Sequence, residues 1–312
     1  MDRIRIGTRG SKLALKQVSL VQAALLRAAD QTETEIIILH TRGDKIQDKP
    51  LAQIGEKGVF ASELEQALLD GKIDAAVHSA KDLPMALADG LKISAVLPRA
   101  DVRDVLVIPK GGSLPELTEW QKGPENRESA EKVFKIGSGS RRRQLLAEQF
   151  WRNVVCENIR GNVDTRLRKL KEGGFDGILL AKAGLDRLGI GVETEEEFTF
   201  FPLPPEQFLP AACQGMIAVE TVRGSETERI CQKITDAETM FCFEIEREVL
   251  GHLAADCSEA AAAWCRFDGS RLILDAMYAG RKIRLTGRAE IQEGRKLAAQ
   301  AADALKENGI TW

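Results

Sequence analysis

The residues best suited to chemistry lie where short apolar runs give way to glycine, serine and basic side chains. In GTRGSKLAL (7–15), glycines flank Arg9 and Ser11 can cap the following helix. Backbone N–H groups at such a junction attract anions, and a guanidinium adds a forked donor for a carboxylate or phosphate. In HSAKDLP (78–84), Ser79, Lys81 and Asp82 crowd a loop directly after the run IDAAV. A carboxylate beside an ammonium stays ionised at neutral pH and can steady a developing cation; a Lys–Asp surface pair has the same composition. In GSGSRRRQ (137–144), Ser138 and Ser140 precede Arg141, Arg142 and Arg143. Three cations in a first helical turn oppose the helix dipole, at about 0.3–1 kcal/mol each, so a compensating anion is expected nearby. In IRGNVDTRLRKL (159–170), Arg160 and Arg166 bracket a Gly-Asn turn. Each arginine alone can be a surface residue. Four basic strand-to-helix junctions together imply a cleft for a molecule with several carboxylates or phosphates.

The six cysteines are Cys156, Cys213, Cys231, Cys242, Cys257 and Cys265. None forms a CxxC pair or joins the histidines at zinc-ligand spacing, so no metal is expected. Cys257 (GHLAADCSEAAAAW) lies between a helix pattern and a strand pattern, where a thiol can reach a cleft. Cys213 (PAACQG) is a rival on another loop; an inert thiol is the ordinary state of either.

The elements that must position these groups follow from periodicity. Strand patterns at 3–8, 34–41, 73–78 and 91–97 alternate with helices begun by Ser11 and by a Ser62/Glu65 capping box. This predicts an α/β domain with a largely parallel sheet over 1–99, rejoined by 198–222 after a second crossing. A second α/β unit covers 104–195, with strands at 105–109, 135–138, 154–159 and 177–183 and a polar stretch at 111–132. Residues 226–312 read as a small α+β domain: a helix at 238–253, strands at 261–267, 271–278 and 282–289, then a helix to Lys306. Ligands of such lobes bind beyond the carboxyl ends of the strands.

Composition narrows the function classes. The 312 residues are 44% apolar and 29% charged with net charge −3, which suits a folded multi-domain protein and excludes a global field for nucleic acid or membrane. No apolar run reaches a membrane span, and MDRIRIGTRGS has no signal-peptide core, so a cytoplasmic location is expected. The basic residues are dispersed at strand ends, without a helix-turn-helix pattern.

Taken in order, GTRGSKLALKQ, TRGDKIQDKPLAQIGEKGVFASELEQALLDGKIDAAVHSAKDLP, RADVRDVLV, GSGSRRRQLL, IRGNVDTRLRKLKEGGFDGILLAKAGLDRLGI, LPAACQGMIAVE and the Cys257 region resemble the porphobilinogen deaminase family. The resemblance spans nearly the whole chain. It implies two lobes like those of periplasmic binding proteins and a third domain, most simply as a monomer. It implies a dipyrromethane cofactor joined to Cys257 by a thioether, extended by four porphobilinogens with loss of ammonia and released as hydroxymethylbilane. Asp82 matches the catalytic aspartate, which stabilises positive pyrrole species and assists proton transfer. Ser11, Ser79, Lys81, Ser138, Ser140, Arg142 and Arg143 match cofactor contacts. Arg9, Arg160, Arg166 and Gln214 match substrate contacts, and Lys57 matches the lysine of a candidate lid. Cys213 stands where the family usually has glycine, and Arg141 where an apolar residue is common. The other reading compatible with the residues is a non-catalytic anion-binding paralogue that kept the two-lobed cleft.

Overall fold

The computed structural model describes residues 3–28, 32–39, 62–112, 133–151, 153–191, 196–255 and 259–307. Lys57, Cys257 and nearly all of the polar stretch 111–132 lie outside the described residues.

The first lobe contains β1 (Ile4–Thr8), α1 (Lys12–Ala28), β2 (Thr34–Ile38), α2 (Ser62–Leu69), β3 (Ala75–Ser79) and β4 (Leu91–Val96). The second contains β5 (Asp104–Pro109), β6 (Phe134–Gly137), α3 (Arg141–Phe150), β7 (Val154–Glu157), α4 (Val163–Lys171), β8 (Gly177–Ala181), α5 (Lys182–Leu188) and β9 (Phe198–Pro202). The chain then returns as β10 (Ile217–Val222) and continues through α6 (Glu226–Gln232) and α7 (Ala237–Leu253). Strands β11 (Ala261–Asp268), β12 (Arg271–Tyr278) and β13 (Arg281–Arg288) precede α8 (Ile291–Glu307).

The two five-stranded sheets run β2-β1-β3-β10-β4 and β7-β6-β8-β5-β9. Each has one antiparallel strand beside its last: β10 against β3 and β4, β5 against β8 and β9. These are the strands by which the chain enters from the other lobe. The expectation that 198–222 would all rejoin the first lobe is corrected here. Phe198–Pro202 pairs with β5 in the second sheet, and only Ile217–Val222 returns. The apolar run FTFF fits the free edge of β5, and its first residue, Phe198, is buried in the second lobe's core. The capping box at Ser62 also does not form. Glu65 Oε1 accepts the N–H of Ala88, 3.1 Å away, and Ser62 Oγ donates to Glu63. A distant N–H brought in by packing takes the carboxylate that the local motif would use.

The helices bury the stripes that their periodicity sets out. Helix α1 places Val18, Val21 and Leu25 against the first sheet, where β1 and β3 contribute Ile4, Ile6, Ala75 and Val77. The third unit packs α7 and α8 on one face of β11-β12-β13. Its apolar cluster continues into Ala80, Leu83, Val96, Met216 and Ala218 of the first lobe, while Ala262, Trp264 and Met277 join the second lobe's core. The third unit thus braces both lobes. At its centre Glu246 on α7 takes both guanidinium nitrogens of Arg99 (2.5 and 3.2 Å) and the N–H groups of Cys213 and Cys265. Arg99 Nε also donates to the carbonyl of Gln214, so the first crossing, the second crossing and the third unit meet on one buried ion pair.

The crossings run backbone against backbone. A Cβ at Gly215 (φ +89°) would lie 2.5 Å from the carbonyl oxygen of Ala100, so only glycine fits. Cys213, where glycine was expected, keeps a left-handed φ of +60°; it fills the core, and its thiol donates to the carbonyl of Phe243.

Candidate active site

The four basic junctions lie at the carboxyl ends of parallel strands: Arg9 after β1, Lys81 and Asp82 after β3, Ser138 to Arg143 after β6, and Arg160 after β7. Strands β1 and β3 are parallel, as are β6 and β7, so each lobe presents two junctions at one edge. The lobes touch through α1. Lys12 Nζ is 2.8 Å from Asp164 of α4, and Leu13 reaches Gly184 of α5.

A 3₁₀ turn, Ala80–Asp82, follows β3 without a break. Ala80 is buried, Lys81 is half-buried and Asp82 is exposed. The turn leaves Asp82 exposed at a fixed strand end and sends Lys81 inward. Lys81 Nζ approaches Gln214 Oε1 at 3.5 Å, and Gln214 Nε2 donates to Val102 O (2.8 Å) and Asp104 Oδ1 (2.9 Å). Burial and the nearby Arg143 lower the Lys81 ammonium to about 8, with Asp82 and Asp104 pulling the other way.

Asp104 is the anion beneath the arginine run. Its Oδ2 accepts from Arg142 Nη1 at 2.7 Å; its Oδ1 accepts from Arg143 Nε and Nη2 at 3.0 and 2.7 Å. Burial alone would push this carboxyl up, but the two guanidiniums outweigh it and hold it well below the usual carboxylate range. Arg142 also donates to Leu209 O and Arg143 to Leu179 O. The anion expected from the helix dipole is therefore partly built in, by the first residue of β5. Sequence reasoning missed Asp104. Its only signal was an acidic residue opening an apolar strand, RDVLVIP, and that gives no partner.

Arg160 and Arg166 differ. Arg166 Nε donates to Gly161 O at 2.8 Å, and no carboxylate among the described residues lies within ion-pair distance of either arginine. Burial first, then Arg143 and Arg160, lower the Arg166 guanidinium to about 10, against the pull of Asp82. Asp82 belongs to the first lobe and Arg166 to the second, so their fields overlap across the cleft. Gly161 (φ +108°) makes the turn, since a Cβ there would lie 2.6 Å from the side chain of Thr165.

The hydroxyls named from sequence are engaged close to home. Ser11 Oγ accepts the Ala14 N–H; Ser79 Oγ pairs with the Gln17 amide at 2.8 Å. Buried Ser138 accepts the Ser140 N–H, and Ser140 caps α3 by accepting from Arg143 N. Gln214, expected among substrate contacts, is fully enclosed and reaches the cleft through Lys81 and Asp104. Arg9 is half-exposed at the mouth of the first lobe. The structure thus brings Lys81, Asp82, Arg142, Arg143, Arg160, Arg166 and Gln214 into one network. Five cations there face two carboxylates, Asp82 and Asp104. Such a site attracts a multiply anionic molecule and offers one exposed carboxylate to a transient positive charge.

Two α/β lobes joined by two crossings, with cations from both lobes around one exposed aspartate, define a cleft protein for an anionic ligand. The chain belongs to the porphobilinogen deaminase family. The family model described as "Porphobilinogen deaminase, dipyromethane cofactor binding domain" matches residues 4–230. The porphobilinogen deaminase of Acetivibrio thermocellus is 37% identical over 303 residues, 96% of this chain and 97% of that protein. That of Bordetella parapertussis is 38% identical over 302 residues, 96% of this chain and 90% of that protein. That of Nitrobacter winogradskyi is 40% identical over 270 residues, 86% and 80%. Among solved structures, the Bordetella pertussis BvgS VFT2 domain matches 78% of this chain and 93% of its own, at 15% identity and a TM-score of 0.45. No helix among the described residues is long and apolar enough to cross a membrane.

Proposed function

We propose that this chain is a hydroxymethylbilane synthase. It is a transferase of tetrapyrrole and heme biosynthesis that joins four porphobilinogens head to tail on a dipyrromethane primer and releases linear hydroxymethylbilane with water. The observation that carries this reading is the placement of Asp82: an exposed carboxylate between Lys81 of its own lobe and Arg166 of the other.

The donor set fits a primer rich in acetate and propionate groups. Lys81, Arg142 and Arg143 form its wall, with Ser11, Ser79, Ser138 and Ser140 fixing the loops around it. Buried Arg142 Nε has no partner among the described residues, so one guanidinium N–H is unspent. When bound, the dipyrromethane supplies a free pyrrole carbon for attack on the aminomethyl carbon of the incoming substrate. Arg9, Arg160 and Arg166 hold the incoming carboxylates, because they carry charge that no side-chain carboxylate among the described residues cancels at ion-pair distance in the case of the latter two. Asp82 faces the cation left when ammonia departs and takes up the ring proton displaced by the new C–C bond.

Cys257 carries the primer as a thioether. Its rival Cys213 is buried, and burial and Glu246 push that thiol far up, which leaves it a poor nucleophile. Ala255, two residues before Cys257, shares an apolar cluster with Ala80 and Leu83, which flank Lys81 and Asp82. Lys57 serves as a lid residue. The protein works in the cytoplasm as a monomer, on a small-molecule substrate, without nucleic acid or membrane.

The test is the intact mass of the purified protein with an assay of ammonia release from porphobilinogen. The expected result is a mass excess equal to one dipyrromethane, absent in Cys257→Ala, and ammonia released by the wild type but nearly none by Asp82→Asn. An apoprotein mass with porphobilinogen bound and no ammonia released would establish a non-catalytic anion-binding protein instead.

A further inference from the structure

Next to the Asp82 turn lies a second set of charged groups, on strands β3 and β10 of the first sheet. His78, one residue before the end of β3, is 8% exposed, and Glu220 on β10 is 0% exposed. In the antiparallel register His78 faces Ala218, so His78 and Glu220 are diagonal neighbours on one face. His78 Nε2 lies 3.0 Å from Glu220 Oε2, and Glu220 Oε1 has no hydrogen-bond partner among the described residues. With Glu220 ionised, Nε2 must carry the hydrogen.

Two more charged groups feel Glu220: Glu65 on α2 and Arg247 on α7. Each holds the segment that carries Asp82. Glu65 Oε1 accepts the N–H of Ala88 at 3.1 Å; Arg247 Nη2 donates to the carbonyls of Pro84 and Met85 at 2.7 Å each. The loop 79–88 is thus staked at its root by His78, in its middle by Arg247 and at its end by Glu65. An enclosed carboxylate lacking solvent has few ways to be stabilised, so the pair with His78 resists displacement.

We infer that His78 and Glu220 are positioning residues that fix the Asp82 turn, with Glu65 and Arg247 closing the same frame. The inference rests on the proposed function only for its effect on turnover; its effect on the loop is independent of it. Neither residue touches the cleft; both act through the backbone that aims Asp82 and Lys81.

The experiment is hydrogen–deuterium exchange of the peptide covering residues 79–89, with steady-state ammonia release, on cofactor-loaded wild type and variants. In His78→Leu the peptide exchanges at least about tenfold faster. Its kcat falls by roughly 10- to 100-fold, as about 1 Å of misplacement implies, while KM stays within about threefold. His78→Gln, whose amide places a donor near the Nε2 position, restores both. Glu220→Gln, which keeps the side-chain size, loosens the same peptide and serves where His78→Leu fails to fold. Unchanged exchange in the variants, or no rescue by His78→Gln, overturns the inference. Slow exchange in wild type and fast exchange in the variants, in a protein that releases no ammonia, upholds it and rejects the proposed activity instead.

Discussion

The two arginine pairs of the second lobe sit a few residues from similar strand ends and meet opposite fates. Arg142 and Arg143 are 2% and 6% exposed, locked on Asp104, with carbonyls taking further N–H groups. Arg160 and Arg166 are half-exposed, without a carboxylate at ion-pair distance among the described residues, and Arg166 spends its Nε on a backbone oxygen. A buried guanidinium needs an internal anion because desolvation without one is prohibitive. A guanidinium at the rim can be left unpaired, and its unspent attraction is then available to a ligand. The inner pair is satisfied within the fold; the outer pair keeps charge that no carboxylate among the described residues takes up at ion-pair distance.

The largest effect should come from breaking the inner pair's anion. Asp104→Asn leaves two buried cations facing a neutral amide and should destabilise the fold by about 3–5 kcal/mol in urea titrations. The pH dependence has a definite sign. The folded-state value of Asp104 lies well below its unfolded value near 3.9, so its contribution is full above that value and is lost as pH falls. The Asn variant should lack this acid-side loss. A change under about 1 kcal/mol would mean that the inner arginines are not held by Asp104.

Removing an outer arginine should separate binding from folding. Arg166→Met should leave stability within about 1 kcal/mol, since no ion pair is broken. It should weaken porphobilinogen binding, read as KM, by roughly 10- to 100-fold, the worth of a charge-assisted contact. If instead stability falls as in Asp104→Asn while KM holds, the two pairs are not different in kind.

The smallest effect sharpens the junction between them. Burial first, then the nearby Arg143, lower Lys81 to about 8, so its charge fades as pH rises through that value. Catalytic efficiency should drop about threefold between pH 7.5 and 8.5 through this group, and Lys81→Arg should remove that limb. Stability moves the other way. Between about 8 and the unfolded value near 10.4, the unfolded chain binds more protons, so this group favours folding increasingly as pH rises there. An unchanged alkaline limb in Lys81→Arg would assign it to another group.

Much of the fold was legible because periodicity reports which face is buried. Strands β1, β3, β4, β5, β6, β8, β11 and β12 and helices α1, α3, α4, α7 and α8 fall where apolar spacing puts them, within a few residues. The assignment of β9 failed because a strand's apolar run says that it pairs, and leaves open with which edge. The capping box failed because Glu65 found Ala88, which is distant in sequence.

By itself the sequence determined which residue types stand at the strand ends, since a basic residue beside glycine after an apolar run needs no knowledge of partners. It also determined that three arginines at one helix start require an anion. Tertiary structure decided that this anion includes Asp104, that Gln214 is enclosed between Lys81 and Asp104, and that His78 meets Glu220 across 142 residues. The physical reason is range. Helix and strand propensities act over a few neighbouring residues, whereas the pairing of buried charges is settled only when the two crossings and three sheets close on one another.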